Sequence, residues 1–214
     1  VTPTGLDSHG VYLRADAGSF NMVRGLATIG GASGPADYWA GLSADTSDGD
    51  RDHAKRRSLR FHGNVGLQLS DTISTRFYAS TNLIEQQLPG ALTRSVALTA
   101  PKTGSFVGDQ SRDIKSIRLQ NRTSFDWGQT HLDVGLFLNS KDLFHPIFQV
   151  IDQKSTDVGA FARFDHQAGP FEVTVGGEIR RGDMAAKQFV NVNGKRGALT
   201  FSADQQARTA NLYG

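Results

Sequence analysis

Residues 58–70, SLRFHGNVGLQLS, put Leu59, Phe61, Val65, Leu67 and Leu69 on one face of an extended chain and Arg60, His62, Asn64 and Gln68 on the other. A hydrophobic period of two predicts a strand with one apolar and one charged face. The same division recurs in THLDVGLFLNSKD (130–142), where Leu132, Val134, Leu136 and Leu138 oppose Asp133, Phe137 and Asn139, and in PFEVTVGGEIRRGD (170–183). Weaker copies fill most of the remaining chain, for about ten strands in all.

The composition agrees with an all-β fold. The 214 residues include 24 glycines and 6 prolines, and Gly and the β-branched residues are poor helix formers. No connecting segment carries a long helical stripe, although ALTRSVALTAPKTG (91–104) has room for one helical turn. Cysteine is absent, which excludes a disulfide scaffold, a thiolate metal site and a cysteine nucleophile. The formal net charge is +2, and the basic run Lys55–Arg57 follows directly on the acidic SDGDRD, so no nucleic-acid face is expected. No stretch approaches the roughly 18 apolar residues of a membrane helix, which leaves open a membrane β-barrel, crossing in alternating strands of about 9–11 residues.

The connections fall into two classes. GASGPA, SDT, WGQT and HQAGP are tight and rich in turn residues, whereas residues 46–57, 86–112, 141–153 and 184–205 read as longer loops. Short turns at one end and long loops at the other describe an up-and-down antiparallel meander; GSFN, a short connection on the long-loop side, is the exception. Several segments alternate over ten or more residues where soluble strands average about 5–6. Aromatics (Phe20, Phe125, Trp127, Phe164, Phe171) recur near strand ends, where a membrane interface favours them. A transmembrane barrel is therefore expected, with a soluble β-sandwich binding module as the alternative.

Certain stretches also resemble a known family. GVYLRADAGSFNMVRGLATIGGASGPADYWAGLSADTSDGDRDH (10–53) is similar to the first barrel strands of TonB-dependent outer-membrane receptors, in particular the ferric-citrate-receptor-like group. RFYASTNLIEQQLPGALT (76–93) and KDLFHPIFQVIDQ (141–153) resemble later segments of that group, and VTPTG (1–5) resembles the tail of its plug domain. The resemblance implies an early portion of a larger receptor barrel, with residues 1–9 as plug tail or linker and 10–214 as barrel strands and loops. It further implies the bacterial outer membrane, a ferric siderophore or similar metal chelate as ligand, and a TonB-type energy-coupling protein acting through a plug. The tight turns would then lie in the periplasm and the long loops outside.

Candidate chemistry follows from position. None of the six histidines sits at ligand-like spacing and no nucleophile elbow occurs, so neither a metal site nor a catalytic site is expected, nor a cofactor. The protein is not expected to be an enzyme; a small outer-membrane barrel enzyme, using Asp48, Asp50, Asp52 and His53, or a porin is the competing reading. Arg14, Asp16, Arg60, Arg76, Arg118, Arg122, Arg163, Glu172, Glu178 and Arg180 would point into the lumen. For an anionic chelate, the loop arginines Arg51, Arg94 and Arg112 are the candidate recognisers, because a guanidinium meets carboxylates with two parallel donors. His145 and Phe148 join them from the aromatic segment 141–153, whose apolar side chains are expected to pack against neighbouring loops or the barrel mouth.

Overall fold

A computed structural model describes residues 2–105 and 107–214; Val1 of the opening VTPTG and Phe106 of the segment 86–112 lie outside the described residues. The period-two segments form ten strands: β1 (Gly10–Gly18), β2 (Met22–Ser33), β3 (Ala36–Ser47), β4 (Arg56–Ser70), β5 (Ile73–Gln87), β6 (Ser111–Trp127), β7 (Thr130–Pro146), β8 (Gln149–Ala168), β9 (Phe171–Val192) and β10 (Lys195–Tyr213). One short helix, α1 (Arg94–Thr99), lies between β5 and β6, with Thr93 capping its N-terminus. The strands form one antiparallel sheet in sequence order, each hydrogen-bonded to its neighbour in the chain.

The register decides what each face does. Tyr38, Val65, Phe77, Asn121 and Leu136 are direct partners across β3 to β7, and the next row beyond them is Ala40, Gly63, Ala79, Leu119 and Leu138. Tyr38, Val65, Phe77, Leu119 and Leu136 are all exposed, as are Val175 and Ile179 on the same face of β9. Val150 is the one buried hydrophobic core residue among those described. A soluble sandwich packs two such sheets face to face; the described strands form one ten-stranded meander instead, which corrects the soluble alternative. On β4 the apolar face runs from Leu59 to Leu69, which at ~3.3 Å per residue and a tilt near 40° is a band about 25 Å tall, the height of the apolar band of a membrane β-barrel. In hydrocarbon every backbone group needs an internal partner, and the ladder provides them for β2 to β9, each paired on both sides.

The tight turns sit at one end, where Gly34 and Gly128 take the positive φ (57° and 65°) that a β-carbon would strain. At that rim, on the apolar face, the rings of Phe125 and Trp127 stack at 5.6 Å, as an interfacial girdle does.

At the other end, the segments around 48–55 and 88–110 are loops, the second carrying α1 in the stretch with room for a helical turn. The other two expected loops are not loops. Strands β7 and β8 run on to Pro146 and from Gln149, and β9 and β10 to Val192 and from Lys195, so residues 141–153 and 184–205 are ladder closed by two-residue tips. Strand length grows from 9 residues in β1 to 22 in β9. Roughly half of β9 is surplus to a crossing of about 9–11 residues, so this side of the sheet projects beyond the hydrocarbon. Within the aromatic segment the buried part is Val150, 0% exposed and paired with Pro146 on one side and Phe189 on the other, whereas Phe148 does not pack as expected and stays out at the tip.

Candidate functional site

The polar face is a wall of charges neutralised in place. Alternation puts residues two apart on one face, and Arg14 reaches Asp16 at 2.9 Å and Arg163 reaches Asp165 at 2.8 Å along their own strands. Asp45 is approached by Arg56 at 2.7 Å and Arg60 at 3.0 Å and accepts a short bond from Ser58, while Arg180 meets Asp157 at 2.8 Å. Most of the expected inward arginines are thus held by aspartates. The resulting surface is hydrophilic without a large net field.

One station on this wall holds another part of the chain. Asp37 on β3 and Arg76 on β5 share a row with Gly66 of β4 between them. The guanidinium crosses that gap to grip the carboxylate with two bonds, of 2.8 and 2.6 Å, and also donates to Asn64 Oδ1 at 2.5 Å. The remaining capacity goes to the N-terminal segment: Gly5 N–H donates to Asp37 Oδ1 at 3.0 Å, and Asn64 Nδ2 donates to the Pro3 carbonyl at 2.8 Å. Asp37, Asn64 and Gly5 are buried. A β-carbon on Gly5 would lie 2.1 Å from Gly31 O and 2.5 Å from Tyr38 O, so only glycine fits there.

At the far end the loops are stapled together. Arg51 donates to the Thr103 carbonyl at 3.0 Å and the Pro89 carbonyl at 3.2 Å, tying the first loop to the second. His53 Nε2 lies 2.8 Å from Gln110 O and 3.3 Å from Asp109 Oδ1, which requires the proton on Nε2. Asn191 on β9 is the next hub, donating to Gly108 O at 2.8 Å and Ile147 O at 2.5 Å while accepting from Gly194 N–H at 2.8 Å. Arg196 closes the tip, 4.8 Å above the Phe144 ring and 2.7 Å from Asp152. Two carboxylates here are perturbed in opposite directions. The Asn21 amide, at 2.6 Å, holds Asp48 below the usual carboxylate range. Burial, with Glu85 facing it across the ladder, pushes Asp113 up.

The expected ligand contacts divide on this geometry. Arg51 is a loop staple, Arg112 donates to Gln86 Oε1 on the adjacent strand at 2.8 Å, and His145 Nδ1 lies 2.6 Å from the Ser111 carbonyl. Arg94 opens α1 and is exposed. Phe148 sits at the β7–β8 tip, 87% exposed. Arg76 is among the expected inward arginines and Asn64 lies on the expected polar face, but their joining with Asp37, like the hub Asn191, escapes a reading of the sequence. The station is visible only once register aligns Gly66 with both charges; for the hub, the Asn193–Gly194 pair is the local signal, since Asn-Gly closes two-residue hairpins.

No protein-family model matches the chain, and no curated protein matches it in sequence. Solved structures do match. The unliganded ferric citrate transporter FecA superposes with a TM-score of 0.73 at 12% identity, over 94% of this chain and 33% of that one. The ferripyoverdine receptor of the Pseudomonas aeruginosa outer membrane follows at 0.72 and 12%, over 96% of this chain and 34% of its own. The fold is that of part of the barrel of these outer-membrane receptors. The ferric-catecholate import receptor Fiu of Escherichia coli K12, at 0.70 and 13%, shares it over 96% of this chain and 41% of that receptor. The chain therefore spans about a third of the length of the first receptor barrels it matches. These similar structures are transport proteins rather than enzymes.

Proposed function

We propose that this chain is part of an outer-membrane receptor that takes up an iron chelate, such as a ferric siderophore or ferric citrate. The observation that carries the reading is the two-faced sheet, with an exposed apolar band about 25 Å tall on one side, a self-neutralised charged wall on the other, and every long loop gathered at one end. A wall of paired charges suits a lumen filled by a plug or water. The tight-turn end would face the periplasm, where a plug joined through residues 2–9 would engage a TonB-type energy-coupling protein. The long-strand end would face outward, and the similar structures are receptors for ferric citrate, ferripyoverdine and ferric catecholates.

The ligand would meet the outer loops. Phe148 and Arg94, exposed at the β7–β8 tip and on α1, are the residues proposed to touch it. Arg51, Arg112 and His145 act one step back by holding those loops in place, which refines their expected role. Intrinsic-fluorescence titration of the full-length receptor with ferric citrate, a ferric hydroxamate and a ferric catecholate tests the reading. Saturable binding of one chelate with Kd of about 1 µM or tighter is expected. Failure of all three, together with passive leakage of small solutes through the reconstituted protein, would assign a porin instead.

A further inference from the structure

The station on β3, β4 and β5 recognises backbone. It touches the N-terminal segment through one amide and one carbonyl, those of Gly5 and Pro3. A site built this way reads the path of the backbone and the absence of a β-carbon, whatever the neighbouring side chains. The wall is cut to receive the segment further along as well: a β-carbon on Gly30 would lie 2.0 Å from the Ser8 carbonyl. Between these contacts the segment folds on itself, with Ser8 N–H donating to Thr4 O at 3.0 Å and Thr4 Oγ1 donating to Asp7 Oδ2 at 2.6 Å. Residues 3–9 therefore cross the inner wall from β4 to β2 as a fitted strap before entering β1.

We propose that Asp37, Asn64 and Arg76 form a latch for the chain's own Pro3–Gly5 backbone, making the strap part of the barrel wall and a fixed end for whatever precedes it. The proposal rests on the receptor reading only in taking that preceding part to be a plug that moves. The Asp37–Arg76 grip is set across Gly66 inside the wall and does not depend on the strap, so the latch is preformed. Rearrangement of the lumen would then stop at Pro3, and residues 4–9 would keep their place while the preceding segment shifts.

Hydrogen exchange on the full-length receptor in detergent, followed through a urea series, tests this without any chelate and so separately from transport. In the wild type, the hydrogen-bonded amides of Gly5 and Ser8 are expected to stay protected until the strands β3 to β5 themselves exchange. In Arg76→Met the strap is expected to exchange at least 10-fold faster at low urea while β7 to β9 keep their protection. Gly5→Ala changes no residue of the wall and gives the same expected acceleration by lifting the strap off the Gly31 and Tyr38 backbone, which keeps the test sound if Arg76→Met fails to fold. A wild-type strap that exchanges early, with the preceding segment, or a Gly5→Ala strap as protected as the wild type would overturn the latch.

Discussion

The Asp37 carboxylate and the Arg76 guanidinium, two strands apart, meet over a position where the intervening strand has no side chain. A β-carbon on Gly66 would lie 2.3 Å from both Arg76 Nη2 and Asp37 Oδ2. Gly66→Ala is therefore expected to push the two side-chain ends off their present geometry while leaving both charges in place to re-pair, at a cost of about 1 kcal/mol. In an Asp37→Ala, Arg76→Ala background the same substitution should cost far less. A double-mutant comparison of urea midpoints checks this coupling.

Val65 and Asn64 are neighbours in the chain on opposite faces. Val65→Arg places a charge at mid-height of the apolar band and is expected to destabilise the bilayer-inserted barrel by about 2–4 kcal/mol. Reversible unfolding from lipid vesicles measures this, and His62→Arg, on the polar face of the same strand, should cost under about 1 kcal/mol.

Asn191 joins three segments at the loop end. Asn191→Ala removes two donors and one acceptor and leaves the Gly108 and Ile147 carbonyls unmatched, which should weaken local closure by about 1–3 kcal/mol. The expected sign is faster limited proteolysis within residues 88–110, with the strands intact. Unchanged cleavage would mean that the staple from Arg51 suffices.

Asp113 is held above the normal carboxylate range by burial and by Glu85. A raised folded-state value favours the folded protein when the group is protonated, so that contribution is present below the unfolded value, near 3.9, and is lost as pH rises through the folded value. Asp113→Asn should therefore stabilise the protein modestly at neutral pH, and the gain should vanish on acidification towards pH 4. Asp48 has the opposite sign, since its lowered value contributes stability above the unfolded pKa that is lost as pH falls. Asn21→Ala should reduce that contribution and raise the Asp48 pKa, which NMR titration of the carboxyl carbon reads directly.

How much of this is legible without coordinates depends on whether the signal is local. Period-two alternation in 58–70, 130–142 and 170–183 is local and strong, so the strands, their faces and the tight turns are readable. Residues 141–153 and 184–205 mislead because the projecting strands leave the bilayer, and without a lipid face their alternation fades into mixed polarity. Pro146 at the end of β7 and Asn193–Gly194 between β9 and β10 are the residual clues to hairpins there. The charged wall is readable as a face. Its pairing is readable only for aspartates two residues after an arginine, as at Arg14 and Arg163. The Asp37–Arg76 latch joins residues 39 apart through register, which no local pattern encodes.

The most direct measurement is a nitroxide scan along residues 59–69 of the full-length protein in its own outer membrane, recording collision rates with oxygen and with a water-soluble nickel chelate. If this strand crosses the bilayer as its faces require, Leu59, Phe61, Gly63, Val65 and Leu67 will favour oxygen. Arg60, His62 and Gln68, on the other face and outside the latch, will be out of phase with them, with a period of two. Equal accessibility of both sets to the nickel chelate would contradict the membrane barrel, and the receptor reading would fall with it.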